Sequence, residues 1–221
     1  MTKPSIDAAD EKATIRSRLL VARRERAPEA RAGASAAACA RLLDLAAAVG
    51  GVHVVAAYAS FGTEPDTAPL LAGLVARGVR VLLPVLVKGN DLAWGWYTGP
   101  DSLVRGNLSG SPLLEPRTVL DVTAVLEAGI VVVPGLGVDD RGMRLGRGGG
   151  SYDRVLARIA GVGQPANSAV SSAVSSAVNG ARRPWTVTLL YPGEVGVEVP
   201  VEAHDRPVDA AVTADGLTRF G

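Results

Sequence analysis

Ile130–Val133 (IVVV) is the feature that most limits what this chain can become. A continuous run of β-branched apolar residues leaves no polar face, so it predicts a central strand buried on both sides. Such a strand belongs to a sheet covered by helices on both faces. The segments around it agree. His53–Tyr58 reads as a strand, Thr67–Arg77 as a helix closed by Gly78, and Val79–Leu83 as a strand stopped by Pro84. A connection of that length crosses over, which implies a parallel pair. Helices are predicted over 8–27, with Ile15, Leu19 and Ala22 as the apolar stripe, and from Pro28 to the Gly50–Gly51 stop. Leu92–Tyr97 alternates as an edge strand does, and 98–117 reads as an ordered loop. A helix is expected over Ser151–Ala160, and last strands over Thr186–Tyr191 and Val208–Val212. The expected architecture is one α/β domain over residues 1–221, a three-layer α/β/α sandwich with a mostly parallel central sheet. Within it, 163–183 reads as a flexible low-complexity insertion, because SSAV repeats through 167–180.

Composition matters chiefly for what it excludes. Lys and Arg (23) nearly cancel Asp and Glu (22), so the basic excess of a nucleic-acid binder is missing. The single cysteine, Cys39, has no partner for an internal disulfide, and two histidines, His53 and His204, make a His-based metal site or a Ser-His-Asp triad a poor expectation. Charges recur through residues 7–31, where a signal peptide would carry its apolar stretch. Leu42–Tyr58 is broken by Asp44, His53 and Gly50–Gly51, and reads as a helix end, a turn and a strand rather than a membrane span. A cytoplasmic location is expected.

The chemistry concentrates in Pro134–Arg154, PGLGVDDRGMRLGRGGGSYDR, which starts just past the carboxyl end of the central strand. Open α/β sheets place ligands there. Gly146, Gly148, Gly149 and Gly150 precede a helix, and without Cβ atoms their N–H groups can close around phosphate oxygens. The helix N-terminus adds unsatisfied donors. Arg144 and Arg147 supply charge for a polyphosphate, and Asp153 a hard oxygen ligand for Mg²⁺. The plainer alternative is a surface loop of glycines and basic side chains. The segment is not a Walker A loop, since no Gly-Lys-Ser/Thr ends it. Its glycines also lie about ten residues past the strand, farther than in a dinucleotide fold.

On these residues the chain resembles the 5-formyltetrahydrofolate cyclo-ligases. Members of that family carry a stretch close to PGLAFD..G.RLG.G.GYYDR, which Pro134–Arg154 follows almost residue for residue. Three further patches stand in the family's order: Lys12 and Arg16 as Lys-x-x-x-Arg, YASFGTEPDT from Tyr58 to Thr67, and Asp205 to Asp209 as Asp-x-x-Val-Asp. Together they span almost the whole chain. Taken alone, Lys12 and Arg16 share one face of a helix that also holds Arg18, Arg23, Arg24 and Arg26, and read as part of a solvated face. Glu64 alone reads equally as charge at a helix start, and Asp205 as an ordinary loop aspartate.

The resemblance implies ATP- and Mg²⁺-dependent closure of 5-formyltetrahydrofolate to 5,10-methenyltetrahydrofolate. It implies ATP contacts at Lys12, Arg16, Arg144, Leu145, Gly146, Arg147, Gly148, Gly149, Gly150, Ser151 and Tyr152. Folate contacts would fall at Ala59, Glu64, Arg147, Gly148, Gly149, Gly150 and Ser151, with Glu64 accepting from pterin N–H donors. Asp153 and Asp205 would hold Mg²⁺, Arg147 would act on the transferring phosphoryl, and Tyr152 would orient the formyl group or the phosphate. Only small-molecule partners are expected, with neither nucleic acid nor membrane, on a monomer or weak homodimer. One position departs from the pattern: Ser151 stands where the family has Tyr, leaving a non-catalytic folate or nucleotide sensor as an alternative. A sugar-phosphate isomerase or CoA transferase of similar fold is another, although a CoA transferase needs a catalytic Glu and the glycine-rich segment has none.

Overall fold

The chain is described by a computed structural model over residues 8–106, 113–162, 183–203 and 205–221. The SSAV repeats, and all of 163–182, lie outside the described residues. Two long helices open the chain, α1 (Ala8–Glu25) and α2 (Pro28–Val49), the second started by its proline as expected. β1 (Val54–Ala56), α3 (Ala68–Ala76) and β2 (Arg80–Val87) form the parallel crossover. β3 (Asp91–Tyr97) returns antiparallel along β2 as the sheet edge.

The remaining sheet strands are β6 (Ile130–Pro134), β9 (Trp185–Leu189), β10 (Ala210–Val212) and β11 (Leu217–Arg219). Their order is β11-β10-β9-β6-β1-β2-β3. The IVVV run therefore lies in the middle strand, paired in parallel with β1 and β9, and Ile130 through Val133 are fully buried. Only the two outermost pairings, β2 with β3 and β10 with β11, are antiparallel.

Alternate strand residues feed two cores, as the pleat requires. Val55, Val81, Leu83, Ile130 and Val132 pack under α2 and α3, against Leu42, Leu70 and Leu74. Val54, Leu82, Val131 and Val133 face the other way, onto α4 (Ser151–Ala160) and the short turn Ala124–Glu127. This is the expected three-layer sandwich. By length and composition α2 could cross a membrane, yet its Ala38, Cys39, Leu42 and Leu45 are core residues here.

Three expectations need correction, and one hairpin was not anticipated. Pro84 does not stop its strand, since β2 runs on to Val87 with Pro84 opposite Trp94. The reason lies in strand sidedness. Leu86 N–H points away from β3, to Glu115, and Pro84 two residues earlier shares that side. The pairing of β1 with β2 has already ended at Ala56–Leu82, so the missing N–H of proline leaves no ladder bond unmade. The 98–117 loop contains an antiparallel pair, β4 (Leu103–Arg105) with β5 (Leu114–Pro116), packed on β2 and β3. A second small hairpin, β7 (Gly137–Val138) with β8 (Arg144–Leu145), interrupts the loop after β6. Val208–Val212 is not the last strand, because β11 follows as a short exposed edge.

Candidate functional site

The backbone leaving β6 meets a side-chain crowd at once. A methyl on Gly135 would lie 2.8 Å from Thr188 Oγ1, so only glycine fits beneath the hairpin that follows. α1 covers that hairpin rather than the sheet, through Ile15 and Leu19 against Leu136 and Leu145. Leu145 thus spends its side chain on packing and does not line the cavity.

Next comes the glycine run. Arg144 is buried beneath it, giving Nη1 to Pro134 O (3.1 Å) and Nη2 to Asp153 Oδ1 (2.7 Å). Burial lowers its pKa, against the opposing charges of Asp153 and Asp205. A Cβ on Gly146 would meet Arg144 Nη1 at 2.5 Å, so any other residue here would push the Arg144 guanidinium off its place. Arg16, from α1, fastens the loop by donating from Nε to Gly146 O at 2.9 Å. Gly148 (φ 98) and Gly150 (φ 72) take left-handed conformations that L side chains rarely adopt.

Gly150 is the cap of α4, with no side-chain hydrogen bond to the helix start, and Ser151 is the first helical residue. With glycine at the cap, no side chain among the described residues caps the first-turn N–H groups, and these are the donors an anion takes.

A cavity opens in front of this turn. Ala59, Glu64, Arg144, Gly146 and 147–153 line it, so most of the residues singled out in the sequence meet at one place. Glu64 is nearly buried. Its Oε2 accepts from Phe61 N–H (3.1 Å) and its Oε1 from Arg147 Nε (3.0 Å). Burial raises its pKa, and the Phe61 N–H and Arg147 only partly oppose this. Arg147 also lies over the Phe61 ring, 4.6 Å from its centre. Tyr152 and Tyr58 both have hydroxyls buried without a hydrogen-bond partner among the described residues. Burial holds both phenols well above the usual pKa, so they remain donors.

Lys12 and Asp205 do not line the cavity. Lys12 is buried and gives its ammonium to Glu202 (2.6 Å) and Asp205 (2.7 Å). Burial works against its charge, but the two carboxylates outweigh it and raise the pKa. Asp209, from the same sequence patch, ties strands together instead, accepting from Thr186 N–H (2.8 Å) and pairing with Arg183.

Among the described residues no three His, Cys, Asp or Glu side chains gather as a metal cage. The Asp153 carboxylate nevertheless fits Mg²⁺. One oxygen is engaged by Arg144, and the side chain keeps a quarter of its exposure beside the phosphate-type cradle. Mg²⁺ commonly takes one or two carboxylates together with substrate phosphates.

Several cavity residues were not singled out from the sequence. Tyr58, Phe61, Leu86, Leu92 and Glu115 complete the wall. Tyr58 and Phe61 lay inside a patch already noticed. Glu115 gave no signal, because nothing local shows that β4 and β5 fold back over β2.

The sequence model of the 5-formyltetrahydrofolate cyclo-ligase family matches residues 8–214 of the chain. The chain belongs to this family. A cyclo-ligase of Mycolicibacterium smegmatis is 34% identical over 161 residues, covering 69% of each protein. The Escherichia coli cyclo-ligase is 38% identical over 107 residues, or 47% of this chain and 57% of that one. The NMR structure of Aquifex aeolicus 5,10-methenyltetrahydrofolate synthetase superposes with a TM-score of 0.68 at 23% identity, over 95% of this chain and 92% of that one. The synthetase of Mycoplasma pneumoniae gives 0.65 at 14% identity, over 92% and 98%. These two likenesses establish the fold. The cyclo-ligase assignment itself matches what the four sequence patches implied.

Proposed function

We propose that this cyclo-ligase converts 5-formyltetrahydrofolate and ATP to 5,10-methenyltetrahydrofolate, ADP and phosphate. The observation that carries the reading is one cavity in which a glycine cradle, an uncapped helix start and Arg147 adjoin a buried carboxylate and apolar walls.

Ring closure requires nitrogen 10 to attack the formyl carbon on nitrogen 5 while that carbon loses its oxygen. Oxygen leaves poorly as such. Transfer of the γ-phosphoryl to it gives an imidoyl phosphate and ADP. Nitrogen 10 then adds, the carbon–oxygen bond breaks, phosphate departs and nitrogen 10 sheds its proton. Phosphoryl transfer asks the protein mainly for position and charge. In this reading the N–H groups of 146–150 and of the α4 first turn hold phosphate oxygens. Arg144 supports the cradle from below and orients Asp153. Arg16 holds the loop closed through Gly146 O, and Lys12 braces α1 against Asp205. Mg²⁺ would be held by Asp153 together with substrate phosphate oxygens and would neutralise their charge; Asp205, the other carboxylate that the resemblance implies, would have to leave Lys12 to join it. Tyr152, whose hydroxyl has no partner among the described residues, would donate to the formyl oxygen or the phosphate. Arg147 must leave Glu64 to reach the phosphoryl group, and binding of folate N–H donors to Glu64 would release it.

The direct test is the rise of methenyl absorbance when purified protein meets 5-formyltetrahydrofolate and Mg-ATP, with ADP formed in equal amount. ADP without methenyl product, or neither, would sink the reading. Glu64→Gln tests the folate end. It puts an amide where an acceptor is needed, and should cost about 2–4 kcal/mol of folate recognition with ATP affinity little changed. Titration with each substrate separately reads this. A collapse of nucleotide affinity with folate affinity intact would show the wrong substrate has been given to this turn.

A further inference from the structure

Among the described residues, Glu64 meets Arg147 and Asp153 meets Arg144, whereas Glu115 is the cavity carboxylate that has no cationic partner. It is 5% exposed, and no salt bridge reaches it among the described residues. Its Oε1 accepts the Leu86 N–H at 3.0 Å, the position that β1 would have filled had its pairing continued. Its Oε2 takes no hydrogen bond from any described group. The carboxylate is held closely: a Cβ on Gly106 would meet its Cδ at 2.8 Å. Leu86, Leu92 and Leu113 line the same cavity.

A capped strand edge explains one oxygen and not the other. An amide or hydroxyl would cap Leu86 as well without burying a charge, and a buried carboxylate short of donors is costly. Glu64 differs, since Phe61 N–H and Arg147 already occupy its two oxygens. On this wall the cavity therefore presents an acceptor that no described residue engages, and a ligand that meets it must bring N–H or O–H donors.

We propose that Glu115 is a specificity-determining residue, whose free oxygen accepts a hydrogen bond from an N–H donor of the reduced pterin ring. This rests on the reading of the cavity as a folate site. Two carboxylates would then read the donor-rich ring, one released from an arginine and one already waiting. An analogue that replaces ring N–H donors by acceptors would face a bare carboxylate and be rejected.

Glu115→Gln separates this from a structural role. The amide oxygen still caps Leu86, while the amide nitrogen replaces the free acceptor. The expected result is a rise of roughly 10–100-fold in KM and in Kd for 5-formyltetrahydrofolate, measured with and without nucleotide, because a buried donor loses its acceptor. The KM for ATP and the thermal midpoint should hold, and kcat should change little, as for uniform binding. If Glu115→Gln does not fold, Glu115→Asp, which keeps the charge but withdraws it by one methylene, is read the same way. Turnover in the wild type with unaltered folate KM and Kd in the variant would overturn the role of Glu115 alone. A wild type that neither binds nor turns over 5-formyltetrahydrofolate would overturn the folate reading, and this inference with it.

Discussion

Arg147→Ala lowers kcat by roughly two to four orders of magnitude, the range for cations that act on a transferring phosphoryl group. The structure gives the reason for expecting a kinetic rather than a structural loss. Arg147 keeps more than a third of its side chain exposed, whereas Arg144 is buried and fixed to Asp153 and Pro134 O. Nothing in the core depends on Arg147. Its holds are Glu64 Oε1 and the face of Phe61, both in the cavity. Removing it also uncovers Glu64, so folate affinity should shift, but by far less than kcat. Steady-state rates beside titration with a non-hydrolysable ATP analogue separate the two effects. Near-normal turnover would leave Arg147 as no more than the resting partner of Glu64.

Arg23→Met destabilises the protein by about 3–5 kcal/mol, because it leaves a buried carboxylate without its counter-charge. Arg23 is 1% exposed, and its Nε and Nη2 meet the two oxygens of Glu194 at 2.7 Å each. Nη2 also reaches Gly135 O (2.8 Å), and Glu194 accepts from Tyr191 N–H (2.9 Å). The hydrogen bonds and charge of Glu194 outweigh the burial penalty and raise the pKa of Arg23. The pair joins α1 to the turn after β9 and to the first residue after β6, and so carries Arg16 and Lys12 into register. Urea unfolding measures the loss. Arg23→Met combined with Glu194→Gln should recover part of it, because the stranded charge is then gone. Additive losses in the double variant would show that the two side chains stabilise independently.

Arg23 also shows where sequence reading stops. On the sequence it is one of several arginines on a helix and passes for part of a solvated face. Only the fold brings Glu194, 171 positions away, against it. Lys12 and Arg16 make the same point. Their spacing put both on one side of α1, yet one meets Glu202 and Asp205 and the other a backbone carbonyl of the glycine loop.

What the sequence determined by itself was local, or carried by unbroken runs of residues. IVVV required a strand buried on both faces. The Pro and Gly punctuation bounded α2 and α3. The glycine-rich segment before α4 marked one wall of the cavity, and four ordered patches marked the family. These signals survive because strand burial, helix ends and glycine conformations are set within a few residues of the chain. The tertiary structure decided everything that depends on distant segments meeting. Pro84 could lie within β2 only because the pairing with β1 ends early. α1 became the roof of a hairpin instead of a layer on the sheet. Glu115 became a wall of the cavity because β4 and β5 fold back over β2 and β3. Side-chain partners 80 or more positions apart, such as Glu64 and Arg147, leave no periodic mark in a sequence, since their meeting is fixed by the packing of whole elements and not by local preference.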